Sequence, residues 1–438
     1  MSKQRLIVIS FDALIYEDLP YLRTKPNFSW LLENGSHVKR VKSIYPTLTY
    51  PCHTTMITGC WPDKHGVINN VYDVPREPRP WRFGHESVRC EDLLDVCKRN
   101  GLKTASVGWP VSGNHPSVDY LVNECWPETK DPPIEEYAQA YLDHGTPVWL
   151  FDEVVKPVLE MRVGRKQPES SYFLGYISAG IIRKYQPDVL VMHPGVVDSF
   201  RHKGGVFSDI IPEALDCCDD VLGMLIQATK DAGVFEETNF VVTSDHGHLN
   251  ATRKVNLNCL FAQNGLIKAD ENHRVTDYRA WCYPMGGMSA YVHLSDPRNE
   301  QLYKFVYDLL QEKCSEGLWG ISQVFTREEC QKMHLDGNFS FVVETDGYTE
   351  FGAKWYGDPV VNMPFGLCGP IRGDHGYHPD KGPRSPFIAC GPFIKRGVVV
   401  EHADLIDGAP TYARILGVAL PLADGSAIEE LLDSDKLT

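Results

Sequence analysis

The sequence predicts an α/β fold in which a doubly wound, mostly parallel sheet is flanked by helices and interrupted by a smaller α+β insertion. Three observations carry that expectation. The run 6–9 is continuously apolar and rich in β-branched residues, as a central strand covered on both faces must be. A helix-then-strand unit then recurs along the chain, which is the signature of a doubly wound sheet. Between 257 and 370 the rhythm changes to short mixed segments with glycine-rich turns such as 285–288, and a core-like strand returns only afterwards.

In chain order, the stretch 86–100 sets Cys90, Leu93, Leu94 and Cys97 at helical spacing, stops at Gly101 and feeds a strand at 104–107. A helix at 172–185 leads to a strand at 188–192. Another at 211–232 passes through Gly233 to a strand at 239–243. After the insertion, a strand at 386–389 and a closing helix at 410–416 complete the core. The expected organisation is therefore a core of 1–256 with 371–438, and an inserted subdomain of 257–370. A loop at 75–82, rich in proline and arginine, reads as a surface excursion.

Composition limits the function. With 438 residues, the chain is too long for a small binding module. Its 43% hydrophobic and 23% charged residues are those of an ordinary globular protein. Forty-three basic against 58 acidic residues give a net charge of -15, which repels nucleic-acid polymers and anionic membranes. A small anionic substrate is still compatible, given local cations. No run approaches the roughly 18–20 apolar residues of a membrane span, and 6–9 is too short for a signal-peptide core. A soluble, cytoplasmic chain is expected, and its 13 cysteines, with no CxxC among them, are expected to be reduced thiols.

The chemistry concentrates at strand ends, where ligands gather in an open α/β sheet. Asp12 follows LIVISF, Asp198 follows DVLVM after a short HPGVV link, and Asp245 follows FVVTS. Asp198 and His202 are four residues apart, a spacing that shares one side of a helical turn; Asp245 and His246 are adjacent where the chain turns. His375 stands in a glycine-flanked loop. Carboxylates and neutral imidazoles suit zinc or a similar divalent ion, whereas capping aspartates and solvated histidines are the plainer alternative. Thr49 stands two residues before Pro51, so it falls at a helix start, where an anion is favoured. It is either a helix cap or a hydroxyl that a bound cation makes nucleophilic. Trp109 follows a strand and offers either a stacking face or a core side chain.

As an ordered set, FDAL with Asp12, YPTLTYPCHTTMITGCWPDKHGVINN with Thr49 and Asn70, DSFRHKGG, SDHGH and GDHGY resemble the alkaline phosphatase superfamily, and most closely its nucleotide pyrophosphatase/phosphodiesterase branch. The resemblance implies an alkaline-phosphatase-like fold with two divalent metal ions, zinc or manganese. One is surrounded by Asp12, Thr49, Asp245 and His246, the other by Asp198, His202 and His375. It also implies Thr49 as nucleophile, Asn70 as the donor to a phosphoryl oxygen, and a small phosphorylated substrate such as a nucleotide. Cys52 stands where the family often has Asn, His248 where it has Met, and HGYHPD where it has HGYDN. These departures concern the substrate, since His248, His378, Arg76, Arg79 and Arg82 are then pocket candidates. A phosphonate hydrolase, a phosphomonoesterase and an inactive ligand-binding protein are the alternatives; the sulfatase segment CxPxR is replaced by CHTTM.

Overall fold

A computed structural model describes residues 4–72, 79–362, 372–433 and 436. Eight strands form the main sheet: β1 (Arg5–Ser10), β2 (Ser36–Lys42), β3 (Thr104–Val107), β4 (Tyr120–Val122), β5 (Val189–Met192), β6 (Thr238–Thr243), β7 (Ser385–Cys390) and β8 (Val399–Asp404). Their spatial order is β8-β2-β7-β6-β1-β5-β3-β4. Only β7 runs against its neighbours; the other pairings are parallel. The sheet is thus mostly parallel, as the buried run at 6–9 predicts.

β1 shows why this run becomes a central strand. Its period of two sends Ile7 and Ile9 to one face and Leu6 and Val8 to the other. Each set meets a helical layer: Glu169–Tyr185 and Ile211–Asp231 on the first face, Thr49–Thr58, Leu93–Arg99 and Gly408–Leu416 on the second. Neither face of the strand reaches water, and shortening Ile9 to Ala would cost about 2–5 kcal/mol through the cavity it leaves. The helix expected over 86–100 begins only at Leu93. Asp92 ends the preceding loop by accepting hydrogen bonds from the Leu94 and Asp95 amides, while Asp95 accepts from the Asp92 amide.

Within 257–370, strands Ala280–Met285, Ser289–Leu294, Phe341–Thr345 and Ile321–Thr326 form an antiparallel sheet. The helix Glu300–Glu316 shares its hydrophobic cluster, burying Leu302, Val306 and Leu310. Arg253–Asn256, on the core side of the expected boundary, pairs with Thr349–Gly352 and Val360–Asn362. The chain leaves and returns through one antiparallel pair, Leu249–Ala251 with Arg372–Asp374. A seam joins the two sheets: Tyr45, Leu48 and Ile68 pack with Met285, Tyr291 and Phe325, and Tyr45 donates a 2.9 Å hydrogen bond to Glu344. That seam braces the segment directly before Thr49. No helix among the described residues is long and apolar enough to cross a membrane.

Candidate metal centre

Two groups of ligand-type side chains meet beyond the carboxyl ends of β1, β5 and β6. The first is Asp12, Asp245 and His246. Each carboxylate is held by one oxygen and leaves the other bare. Asp12 Oδ2 accepts from His193 Nε2 at 3.0 Å, and Asp245 Oδ1 accepts from the Ala13 amide at 3.2 Å. Asp12 Oδ1 and Asp245 Oδ2 are buried without a hydrogen-bond partner. His246 Nε2 lies 3.6 and 3.1 Å from those two atoms, and Thr49 Oγ1 lies 3.4 Å from the same nitrogen. Ala13, in the left-handed region at φ 59°, makes the sharp turn that presents both carboxylates together.

The second group is Asp198, His202, His248 and His375. Asp198 sits in the first turn of the helix Val196–Gly204, one turn before His202. His202 Nδ1 donates to the Gly373 carbonyl at 2.9 Å and His375 Nδ1 to the Thr47 carbonyl at 3.0 Å. A carbonyl only accepts, so both rings hold a proton on Nδ1 and aim Nε2 inward, the orientation a metal-binding histidine takes. From Asp198 Oδ1, Nε2 of His202, His248 and His375 lie at 3.2, 2.8 and 3.8 Å. The groups adjoin, since the His246 and His375 rings stack with centroids 4.1 Å apart.

Electrostatics match the geometry. Burial, then Asp245 and Asp198, push the Asp12 carboxyl well above the ordinary range, against the pull of His193. Burial, with His375 and His248, pushes His246 well down. Burial lowers His248 to about 3. Asp198 and His202 oppose their own burial: their mutual attraction holds Asp198 well below the carboxylate range and raises His202 to about 10. Crowded carboxylates with bare oxygens beside imidazoles are a donor set that fits divalent cations, which relieve both the repulsion and the unmet hydrogen-bonding capacity.

Thr49 is the first residue of its helix rather than its cap; the cap position is Leu48, which makes no side-chain bond. Thr49 is buried, with its carbonyl tied to His53 Nδ1 at 2.8 Å. Asn70 Oδ1 accepts from the Tyr50 amide at 2.9 Å, which leaves the amide nitrogen of Asn70 free to donate.

The structure thus brings Asp12, Thr49, Asp198, His202, Asp245, His246 and His375 together, with Asn70 beside Thr49. The sequence placed His248 only at a pocket wall, whereas it touches Asp198. His193, which holds Asp12, went unnoticed; its position at the start of the HPGVV link, directly after a strand, was the available signal. Trp109 is corrected. It is 1% exposed and packs edge-on to His53 in the core, because the loop after β3 turns it inward onto the helix that begins at Thr49. His378 contacts Tyr45, Phe325 and Asp380. Arg79 lies over Tyr283 and Arg82 over Tyr72, while Arg76 falls outside the described residues. A third cluster, His85, Asp92, Asp95 and His115, has suitable spacing, but its carboxylates are already committed. His115 Nε2 and the first-turn amides occupy Asp92, and Ser117 Oγ and the Asp92 amide occupy Asp95.

The chain is similar to human ectonucleotide pyrophosphatase/phosphodiesterase family member 5 (26% identity over 246 residues, 56% of this chain and 45% of that protein). It is similar to rat family member 3 (28% over 252 residues, 55% and 24%) and to mouse family member 7 (23% over 433 residues, 97% and 86%). It spans less than half the length of the first two. Solved structures of murine family member 5 share the fold at a TM-score of 0.66 and 18% identity, covering 98% of this chain and 100% of that one. One of them is an inactive threonine-to-alanine variant in complex with AMP. The family model for type I phosphodiesterase/nucleotide pyrophosphatase matches residues 6–378, and on that match the chain belongs to this family.

Proposed function

We propose that the chain is a metal-dependent hydrolase of phosphodiester or phosphoanhydride bonds with Thr49 as its nucleophile. The observation that carries this reading is the Thr49 hydroxyl on the first residue of a helix, 3.4 Å from His246 and beside two groups of inward-facing donors. Asp12, Asp245, His246 and Thr49 would hold one divalent cation, zinc or manganese, and Asp198, His202 and His375, with His248 at their side, the other. When bound, such a pair supplies Lewis-acid stabilisation to the attacking and leaving oxygens of an in-line displacement.

The protein's own groups account for the rest. Thr49 Oγ1 forms a bond to phosphorus and gives its proton to solvent as the bond to the leaving oxygen breaks and that oxygen departs with the electron pair. Water then attacks the phosphothreonine and releases Thr49, so two in-line steps give net retention at phosphorus. The free Asn70 amide donates to a phosphoryl oxygen, where charge accumulates. The Thr49 amide, at the positive end of the helix dipole, favours the same anion. The family names of the relatives and the AMP complex of the murine protein support a small phosphorylated substrate, nucleotides among them.

The test is a comparison of kcat/KM for a 4-nitrophenyl nucleotide ester, bis(4-nitrophenyl) phosphate, 4-nitrophenyl phosphate and phosphonoacetate on one metal-replete preparation. Diester turnover that is lost on chelation and restored by zinc supports the reading. A preference for phosphonoacetate or the monoester over both diesters overturns it.

A further inference from the structure

A cavity of about 160 Å³ opens from the two ligand groups, with Asp12 and Asp198 at its floor and Arg162, Arg165, Gln167 and Ser170 along one wall. A cavity of about 150 Å³ holds one benzene ring, so this one admits a single compact group. We propose that it is a specificity subsite for a second anionic group of the substrate, a carboxylate or phosphoryl borne close to the scissile phosphorus and held by the guanidinium groups of Arg162 and Arg165. The proposal rests on the phosphodiesterase reading and names the substrate class within it.

Neither arginine forms an ion pair among the described residues, although Glu124 stands in the same cavity; Arg162 is buried, whereas Arg165 is an exposed residue at the cavity's edge. Arg162 is 9% exposed, and its one hydrogen bond among the described residues runs from Nε to the Tyr141 hydroxyl at 3.2 Å. A buried guanidinium with no carboxylate in contact is poorly solvated, and an arriving anion relieves that. Gly164 and Arg165 both have positive φ, 74° and 52°. That turn folds the Arg165 side chain back so that its guanidinium lies 3.5 Å from the centre of the Trp126 ring. It makes no hydrogen bond or ion pair among the described residues.

Ser170 Oγ and His193 Nδ1, both in the cavity lining, are buried without a hydrogen-bond partner among the described residues, His193 Nδ1 lying 3.9 Å from Glu124. Apart from Asp12 and Asp198, Glu124 is the only acid among the described residues lining the cavity, against the two guanidinium groups. Planar guanidinium groups match carboxylate and phosphoryl oxygens in pairs. Neither tryptophan near the site offers a free face to a base, because Arg165 covers Trp126 and Trp109 is buried.

The test uses the zinc-loaded protein and three 4-nitrophenyl phosphodiesters whose second group is methyl, carboxymethyl or 2-aminoethyl. The wild type is expected to favour the carboxymethyl ester over the methyl ester by about tenfold or more in kcat/KM. Arg165→Gln and Arg162→Gln are expected to abolish that preference and to change methyl ester turnover by less than about threefold. Equal losses on all three esters, or a wild-type preference for the aminoethyl ester, overturn the proposal.

A binding measurement separates it from the parent reading. By calorimetry, the wild type is expected to bind phosphonoacetate about tenfold more tightly than methylphosphonate, and Arg165→Gln to bind both alike. Arg165 has no hydrogen bond to lose, so this variant reads the subsite even if Arg162→Gln fails to fold. Failure to cleave any diester sinks the phosphodiesterase reading alone; absence of the affinity difference sinks the subsite.

Discussion

The two ligand groups face each other but are made differently. The first consists of two carboxylates and an imidazole, all buried, hung from the ends of β1 and β6. The second has one carboxylate and three imidazoles, is more open, and is assembled from a helix and the two strands of the ladder Leu249–Ala251 with Arg372–Asp374. The first draws a cation by crowding negative charge beside Thr49. The second does so by fixing ring tautomers, His202 through Gly373 and His375 through Thr47. Thr49 therefore sits beside the more acidic group, and in the histidine-rich group an entering cation competes with the proton of His202.

The largest effect expected is at Thr49. Thr49→Ala should lower kcat by about 10³-fold or more while metal content stays near two ions per chain by elemental analysis. Equal activity would place the attack elsewhere and break the contrast at its centre. Asn70→Ala should lower kcat by about 10²-fold with a smaller change in KM; a change confined to KM would make it a binding residue.

His248→Ala should weaken one of the two ions by about 10–100-fold and leave the other unchanged in a zinc titration. If both weaken together, the groups act as one unit and the comparison fails. The smallest effect is a proton count. His202 keeps its proton up to about pH 10 without a cation, so an ion entering the second group displaces it at any lower pH. Affinity there should rise from pH 6 to 9, with about one proton released per ion in paired-buffer calorimetry at pH 7.

Much of this was legible in the sequence because strand ends are local. Asp12, Asp245 and His246 follow apolar runs that can only be buried strands, and the four-residue spacing of Asp198 and His202 anticipates a shared helical face. His248 was not legible as a neighbour of Asp198. Its place depends on a ladder between residues more than a hundred positions apart, which no local pattern records. Trp109 was ambiguous because a residue after a strand faces either the site or the core, and only the packing of His53 decides. The late start of the helix at Leu93 was readable in principle, since Asp92 and Asp95 have capping-box spacing. The Arg162 and Arg165 wall was hidden by a turn with two successive positive φ angles, one of them at a residue other than glycine.

The short ladder has a bearing on how the protein is made. In its register Leu249 faces Asp374 and Ala251 faces Arg372, so His248 and His375 stand side by side just past its end. A ribosome delivers one of these histidines long before the other, and joining them closes a loop of more than a hundred residues, which costs entropy at every length. A nascent chain halted ahead of residue 372 would carry a complete first group and an unfinished second one, so the second group closes only after His375 has been made and its strand has paired.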